Sequence, residues 1–298
     1  MKRLYLFFFL LPFTVMGQQQ EDKTGPIEWL EKANIGLRKT YSGSSKEEQK
    51  PASVFFNRDT KNNVNFWTVD MGLKVSEWDV FKNASFSDKT SLVFYPKMEY
   101  HKNTGEENQK DALSAGVNME FFPVPYKTPV TDGWNLAPWF QGSVDYKRDK
   151  VNDLNTMNYQ LYLSLFSAQP FLPGGNARAK NGSLVFRYFV YSGYERYSET
   201  KESLGESSYW SNRLFMELWP IPAITKEYLQ LTFEYNYRLS LKDDLYELGD
   251  VDWMSVGINV YPTGKSNLGI GLEYSHGNDP TNSFTDSGRL LIGLNIKI

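Results

Sequence analysis

The sequence predicts an all-β fold: a transmembrane antiparallel up-and-down β-barrel of about twelve strands. Three observations carry that expectation. One apolar–polar alternation is longer than a globular strand needs, the connections alternate between two chemistries, and aromatic residues make up 16% of the chain and recur near strand ends.

The longest alternation runs from Leu229 to Leu241. Leu229, Leu231, Phe233, Tyr235, Tyr237, Leu239 and Leu241 share one face, and Gln230, Thr232, Glu234, Asn236, Arg238 and Ser240 share the other. Side chains of a strand point to opposite faces with period two, so this is one strand with an oily and a polar surface. It exceeds the ~5–6 residues usual in globular sheets and can cross a bilayer while tilted, which takes about 9–11. The negative mean hydropathy does not oppose this, because lipid-facing and lumen-facing residues cancel in an average.

The pattern returns along the chain. Trp67, Val69, Met71, Leu73 and Val75 oppose Phe66, Thr68, Asp70, Gly72 and Lys74. Leu92, Phe94, Met98 and Tyr100 oppose Tyr95, Lys97 and Glu99, and Leu113, Ala115, Val117, Met119 and Phe121 oppose Ser114, Gly116, Asn118 and Glu120. Further strands are expected near 134–147, 156–166, 183–195, 208–219, 251–261, 267–275 and 287–298, with a weaker first one near 29–41 carrying Ala33, Ile35 and Leu37. Trp134, Tyr146, Tyr194, Trp210 and Trp219 mark strand ends, where aromatic side chains favour a membrane interface.

One set of connections is compact and marked by Pro or Gly, at 122–125, 170–175, 219–222 and 261–264. Proline cannot donate to a ladder and collects at strand ends. The other set is charged, at 42–63, 101–111, 147–155, 195–208, 242–250 and 276–286. Two alternating loop chemistries place the strand ends in two environments, the charged set outside and the Pro/Gly set with both termini in the periplasm.

Residues 1–17 read as a secretory signal peptide: Lys2 and Arg3, an apolar run from Leu4 to Val15, and Gly17 before Gln18. Residues 18–298 are then one barrel domain. The chain has no cysteine, which excludes disulfides, thiol catalysis and thiolate metal sites.

The chain ends in the alternating run from Arg289 to Ile298. This resembles the closing strand of Gram-negative outer-membrane β-barrels, whose apolar ending the barrel-assembly machinery reads, although Ile298 stands where an aromatic is more usual. The resemblance covers the mature chain at the level of architecture and implies an outer-membrane location, with membrane lipid and the assembly machinery as partners. A soluble sandwich or lipocalin-like barrel is the alternative, distinguished by strand length and the placement of aromatics.

With the apolar rows toward lipid, the lumen-facing candidates are Asp70, Lys97, Glu99, Glu120, Asp145, Arg187, Arg213, Glu217, Glu234, Arg238, Glu273 and Arg289, beside Lys32, Arg38, Lys74 and Lys297. Acids and bases are near balance, so no single-sign ring announces a selective pore. Two readings compete. The charges line a narrow aqueous path, with Tyr95, Trp139 and Tyr162 as stacking surfaces for a solute ring, or Arg213 and Arg187 pair with Glu217 and Glu234 and plug the lumen.

Outer-membrane phospholipase A, also a twelve-strand barrel, carries a His-x-Ser-Asn-Gly signature. Neither of the 2 histidines, His101 and His276, is followed by a matching serine. Ser275 and His276 are adjacent and face opposite sides of their strand. Both histidines read as solvated loop residues, and Asp243-Asp244 and Asn278-Asp279 as solvated turns rather than Ca²⁺ ligands. The sequence thus predicts no catalytic residue, no metal, no cofactor and no nucleic-acid partner. The leading function is a passive channel or uptake component for small polar solutes. The alternatives are a non-transporting barrel, a scaffold or subunit of an outer-membrane complex that docks a protein partner through its outer loops or lumen, and, third, an integral-membrane lipid hydrolase.

Overall fold

The computed structural model describes residues 35–296 apart from 45–47, 49, 60–62, 83–89, 106–108, 124–135, 168–170, 175–176, 179–183, 201–204, 221–227 and 263–267. The expected signal peptide at 1–17, together with Lys32, Trp134 and Lys297, lies outside the described residues.

The strands in chain order are β1 (Ile35–Arg38), β2 (Ala52–Asp59), β3 (Val64–Val75), β4 (Trp78–Asp79), β5 (Ser91–Asn103), β6 (Lys110–Phe122), β7 (Ala137–Asp149), β8 (Leu154–Phe166), β9 (Ala177–Arg178), β10 (Leu184–Glu199), β11 (Glu206–Pro220), β12 (Leu229–Asp243), β13 (Val251–Val260), β14 (Leu268–Asp279) and β15 (Thr285–Ile296). All described pairings are antiparallel. The long strands form a ring, closed where β15 pairs β2 from Arg289↔Asp59 to Ile296↔Ala52 and where β3 pairs β5 from Thr68↔Asn103 to Lys74↔Lys97. The wall is therefore a twelve-stranded barrel, made of β2, β3, β5–β8 and β10–β15, with β4 and β9 as short additions beside β5 and β10.

Alternation sorts the side chains between the two surfaces. Val54 and Phe56, Leu161, Leu163 and Leu165, Ile270 and Leu272, and Leu290, Ile292 and Leu294 are exposed on the outside. On β12 the opposite row, Gln230, Asn236 and Arg238, is buried inside. An oily outer surface around a polar interior inverts a water-soluble protein and matches acyl chains as the surrounding medium. Tyr146, Tyr194 and Trp210 lie on this outer surface, whereas Trp219 points inward and is buried.

The hairpins at 59–64, 103–110, 149–154, 199–206, 243–251 and 279–285 share one end of the barrel, the loop end. The other end holds Ile35 and Ile296, the first and last described strand residues. This is the grouping that the two connection chemistries predict, with one correction. The first strand is not a single run at 29–41, and 42–63 is not one outer loop. β1 pairs β3 from Ile35↔Val75 to Arg38↔Gly72, and β2 resumes beside the same strand at Ser53↔Asp70. The first wall strand is thus interrupted, and the described residues of the interruption (39–44, 48, 50 and 51) lie inside the barrel. Charged residues suit that position because the lumen wall supplies their counter-charges.

Candidate functional site

The link between β1 and β2 leaves the wall at Gly72. A Cβ there would come within 3.1 Å of the Tyr41 ring and 3.3 Å of the Arg38 carbonyl oxygen, so glycine permits the chain to peel inward so close to β3. The backbone N–H of Lys39 donates to the Lys50 carbonyl at 2.8 Å and draws the neck of the excursion together. Arg38 then turns back over its own loop, donating to the Glu48 carbonyl at 3.2 Å and to the Ser44 hydroxyl at 3.1 Å.

From this neck the link reaches several strands of the wall. Lys39 donates to Glu273 on β14 at 2.6 Å and Lys50 to Glu234 on β12 at 2.5 Å. Glu99 on β5 accepts the backbone N–H groups of Tyr41 and Ser42 at 2.7 and 2.8 Å and the hydroxyls of Thr40 and Ser42 at 3.0 and 3.1 Å. Arg213 on β11 donates to Glu48 at 2.9 Å and to the carbonyl of Gly43, and Tyr191 donates to Glu48 at 2.6 Å. Gly43 has φ of 60°, a left-handed turn that favours glycine.

The structure places all twelve lumen-facing candidates inside. Besides the contacts above, Lys97 pairs with Asp145 at 2.9 Å, Arg187 with Glu217 at 2.9 Å, Arg213 with Glu234 at 2.7 Å, Arg238 with Glu195 at 2.9 Å and Arg289 with Asp279 at 2.8 Å. Asp70 meets His101 at 2.7 Å, and Glu120 accepts the Tyr95 hydroxyl at 2.8 Å. Each of these pairs offsets the cost of removing charge from water.

Three expectations need correction. His101 is no solvated loop residue. It is buried on β5 between Asp70 and Glu99, because the inward row Tyr95, Lys97, Glu99 continues through it. Asp279 is likewise no solvated turn: it is buried against Arg289 and accepts from Thr281. Trp139 is no open stacking platform either, since its ring stacks on Phe122 at 4.9 Å within a cluster that holds Tyr162, Phe189, Tyr191 and Phe215. Sequence reading also missed Lys39, at the end of the weak first strand, and Glu48, Lys50, Lys110 and Glu195, which fall in segments whose composition suggests loops.

The last hairpin covers the loop end. A short 3-10 turn at Pro280–Asn282 follows Asp279, and Ser283 and Phe284 take left-handed backbone at φ of 50° and 60°. This plants the Phe284 ring among Tyr246, Tyr197 and Tyr209, with centroids 5.0, 5.3 and 5.5 Å away. Thr281 below it accepts from Lys110 through its hydroxyl and from Lys147 through its carbonyl. Between this cap and the link lies a polar chamber of about 130 Å³, bounded by Lys39, Ser42 and Lys50 from the link and by Pro280 and Thr281 from the cap. An oily outer wall, an ionic interior and a twelve-stranded antiparallel ring define the architecture of a transmembrane β-barrel.

Among solved structures the chain is similar to "NanC porin structure in rhombohedral crystal form", at 11% identity and a TM-score of 0.43, covering 83% of this chain and 100% of that one. It is also similar to the protein of "Unveiling the Mechanism Behind the in-meso Crystallization of Membrane Proteins", at 12% identity and a TM-score of 0.37, covering 83% of each chain. No family model matches the sequence, and no curated protein matches it.

Proposed function

We propose that the protein is a gated outer-membrane channel for small polar solutes, closed at rest by the link between β1 and β2. One observation carries this reading. The link is held inside the lumen by ion pairs and hydrogen bonds to Glu99, Arg213, Glu234 and Glu273, contacts for which entering water can substitute. The oily outer surface and the closing strand support an outer-membrane location.

Swelling of proteoliposomes in a small neutral polyol tests the reading. The protein should admit the polyol faster than lipid alone, and the Glu48→Ala variant faster still. A folded barrel that is silent in both forms contradicts it. A scaffold is the second reading, favoured by the burial of Glu48 against three partners, Arg213, Lys50 and Tyr191. The lipid-hydrolase reading gains nothing from β14, where Ser275 is buried inside and His276 is exposed outside.

A further inference from the structure

We infer that the open lumen prefers cations, so that it passes small amines rather than acids, and that Glu273 and Glu99 set this preference. The charge class of the solute follows from what the link leaves behind on the wall, and it rests on the gated-channel reading.

In the closed state the link completes the charge balance of the chamber. Among the described residues, six carboxylates and six lysine or arginine cations border the space, and two of those cations, Lys39 and Lys50, belong to the link. With the link withdrawn, the wall keeps six carboxylates against four cations, Lys147, Arg213, Arg238 and Arg289. The buried groups just behind this lining, Lys97 and Lys110 against Asp149 and Glu195, leave the difference at two. His101, held between Asp70 and Glu99, adds at most one positive charge. Beyond the chamber the interior is even, with Arg38, Lys74 and Arg187 against Glu77, Glu120 and Glu217.

The excess sits on particular residues. Glu273 on β14 pairs with Lys39 at 2.6 Å and has no other ion pair among the described residues, and its direct neighbours on β13 and β15 are Gly257 and Leu291. Glu99 on β5 loses the N–H groups of Tyr41 and Ser42. It then shares Lys97 with Asp145, which holds that ammonium more closely, at 2.9 Å against 3.6 Å. Glu234 and Arg213 instead lose one partner each, Lys50 and Glu48, and keep one another. Carboxylates short of counter-charge in a narrow lumen draw in cations and repel anions. The ammonium of Lys39 shows the fit, since it rests on Glu273 where that of a passing amine would.

Reversal potentials in planar bilayers under a KCl gradient test this on the openings of the full chain and on a double variant, Lys39→Ala with Lys50→Ala, which clears both ammonium groups from the wall. K⁺ should be favoured over Cl⁻ by about fivefold, the effect of one unit charge at ~4 Å in water. Methylammonium should carry current in place of K⁺. Glu273→Gln should lower the ratio about twofold or more, and Asp252→Asn on the outer surface should leave it unchanged. A ratio of one or below in the full chain, no methylammonium current, or a ratio that Glu273→Gln does not lower overturns the preference and leaves the channel standing. The full-chain measurement does not depend on how well any variant folds. An inserted barrel that passes no current, either as the full chain or as Glu48→Ala, defeats the channel itself and the preference with it.

Discussion

Glu48 on the link and Arg213 on β11 meet in the middle of the barrel, with Oε1 2.9 Å from Nη1. Their side chains are 0% and 3% exposed. Glu234 accepts from Arg213 at 2.7 Å and from Lys50 at 2.5 Å, so two link residues and two wall residues close a four-charge ring. Desolvation of each charge is offset by two neighbours, and removal of one leaves its partner buried with less.

Glu48→Ala therefore lowers stability by about 3 kcal/mol, read as a shift of the urea midpoint in lipid vesicles. The same variant raises polyol flux. A double variant with Arg213→Ala should lose less than the sum of the two single losses, because the pair shares one interaction.

Gly72 is the point where the first strand leaves the wall. Gly72→Val drives two methyl groups toward the Tyr41 ring and the Arg38 carbonyl, an overpacking that costs about 1–3 kcal/mol. Thermal melting in detergent measures this loss. Most of it should vanish in a variant lacking 40–49, where the clashing ring is gone.

Phe284→Ala removes the centre of the cap cluster, a ring 1% exposed, and lowers stability by about 3 kcal/mol. Near-ultraviolet circular dichroism should lose the signal of the three surrounding tyrosines.

Outside the strands, Asp250 accepts the backbone N–H of Ser240 and the Tyr237 hydroxyl, both at 2.8 Å, and these bonds hold its carboxyl below the ordinary value. A lowered folded value means that the carboxylate supports this hairpin above pH of about 4. That support is lost as pH falls through the folded value. Exchange of the Ser240 amide, followed from neutral to acid pH, should stay slow until the pH falls below the ordinary aspartate value.

The wall was legible because period-two alternation survives any tertiary context. The row Glu234, Asn236, Arg238 on β12 and the row Lys97, Glu99 on β5 could be assigned inward from sequence. His101 could have been found as well, since it continues the β5 row by one more step. The link was not legible, for a physical reason. A stretch rich in Ser, Lys, Glu and Gly looks solvated, and a polar lumen satisfies such residues as water does. What distinguishes the two is partners remote in the chain: Lys39 and Glu273 are 234 residues apart and Lys50 and Glu234 are 184 apart. The chamber follows from the link and was hidden with it.

The most direct test of the gate is its removal. Lys39 and Lys50 already share a backbone hydrogen bond of 2.8 Å at the neck, so deleting 40–49 joins the chain there and leaves β1 and β2 paired with β3, with Lys50, Pro51 and Ala52 as a bulge between Arg38↔Gly72 and Ser53↔Asp70. Single-channel recording in planar bilayers should show a steady open conductance for the deletion variant and a mostly closed state for the full chain. A deletion variant that is folded, inserted and as silent as the full chain would contradict the claim that this link is what closes the lumen.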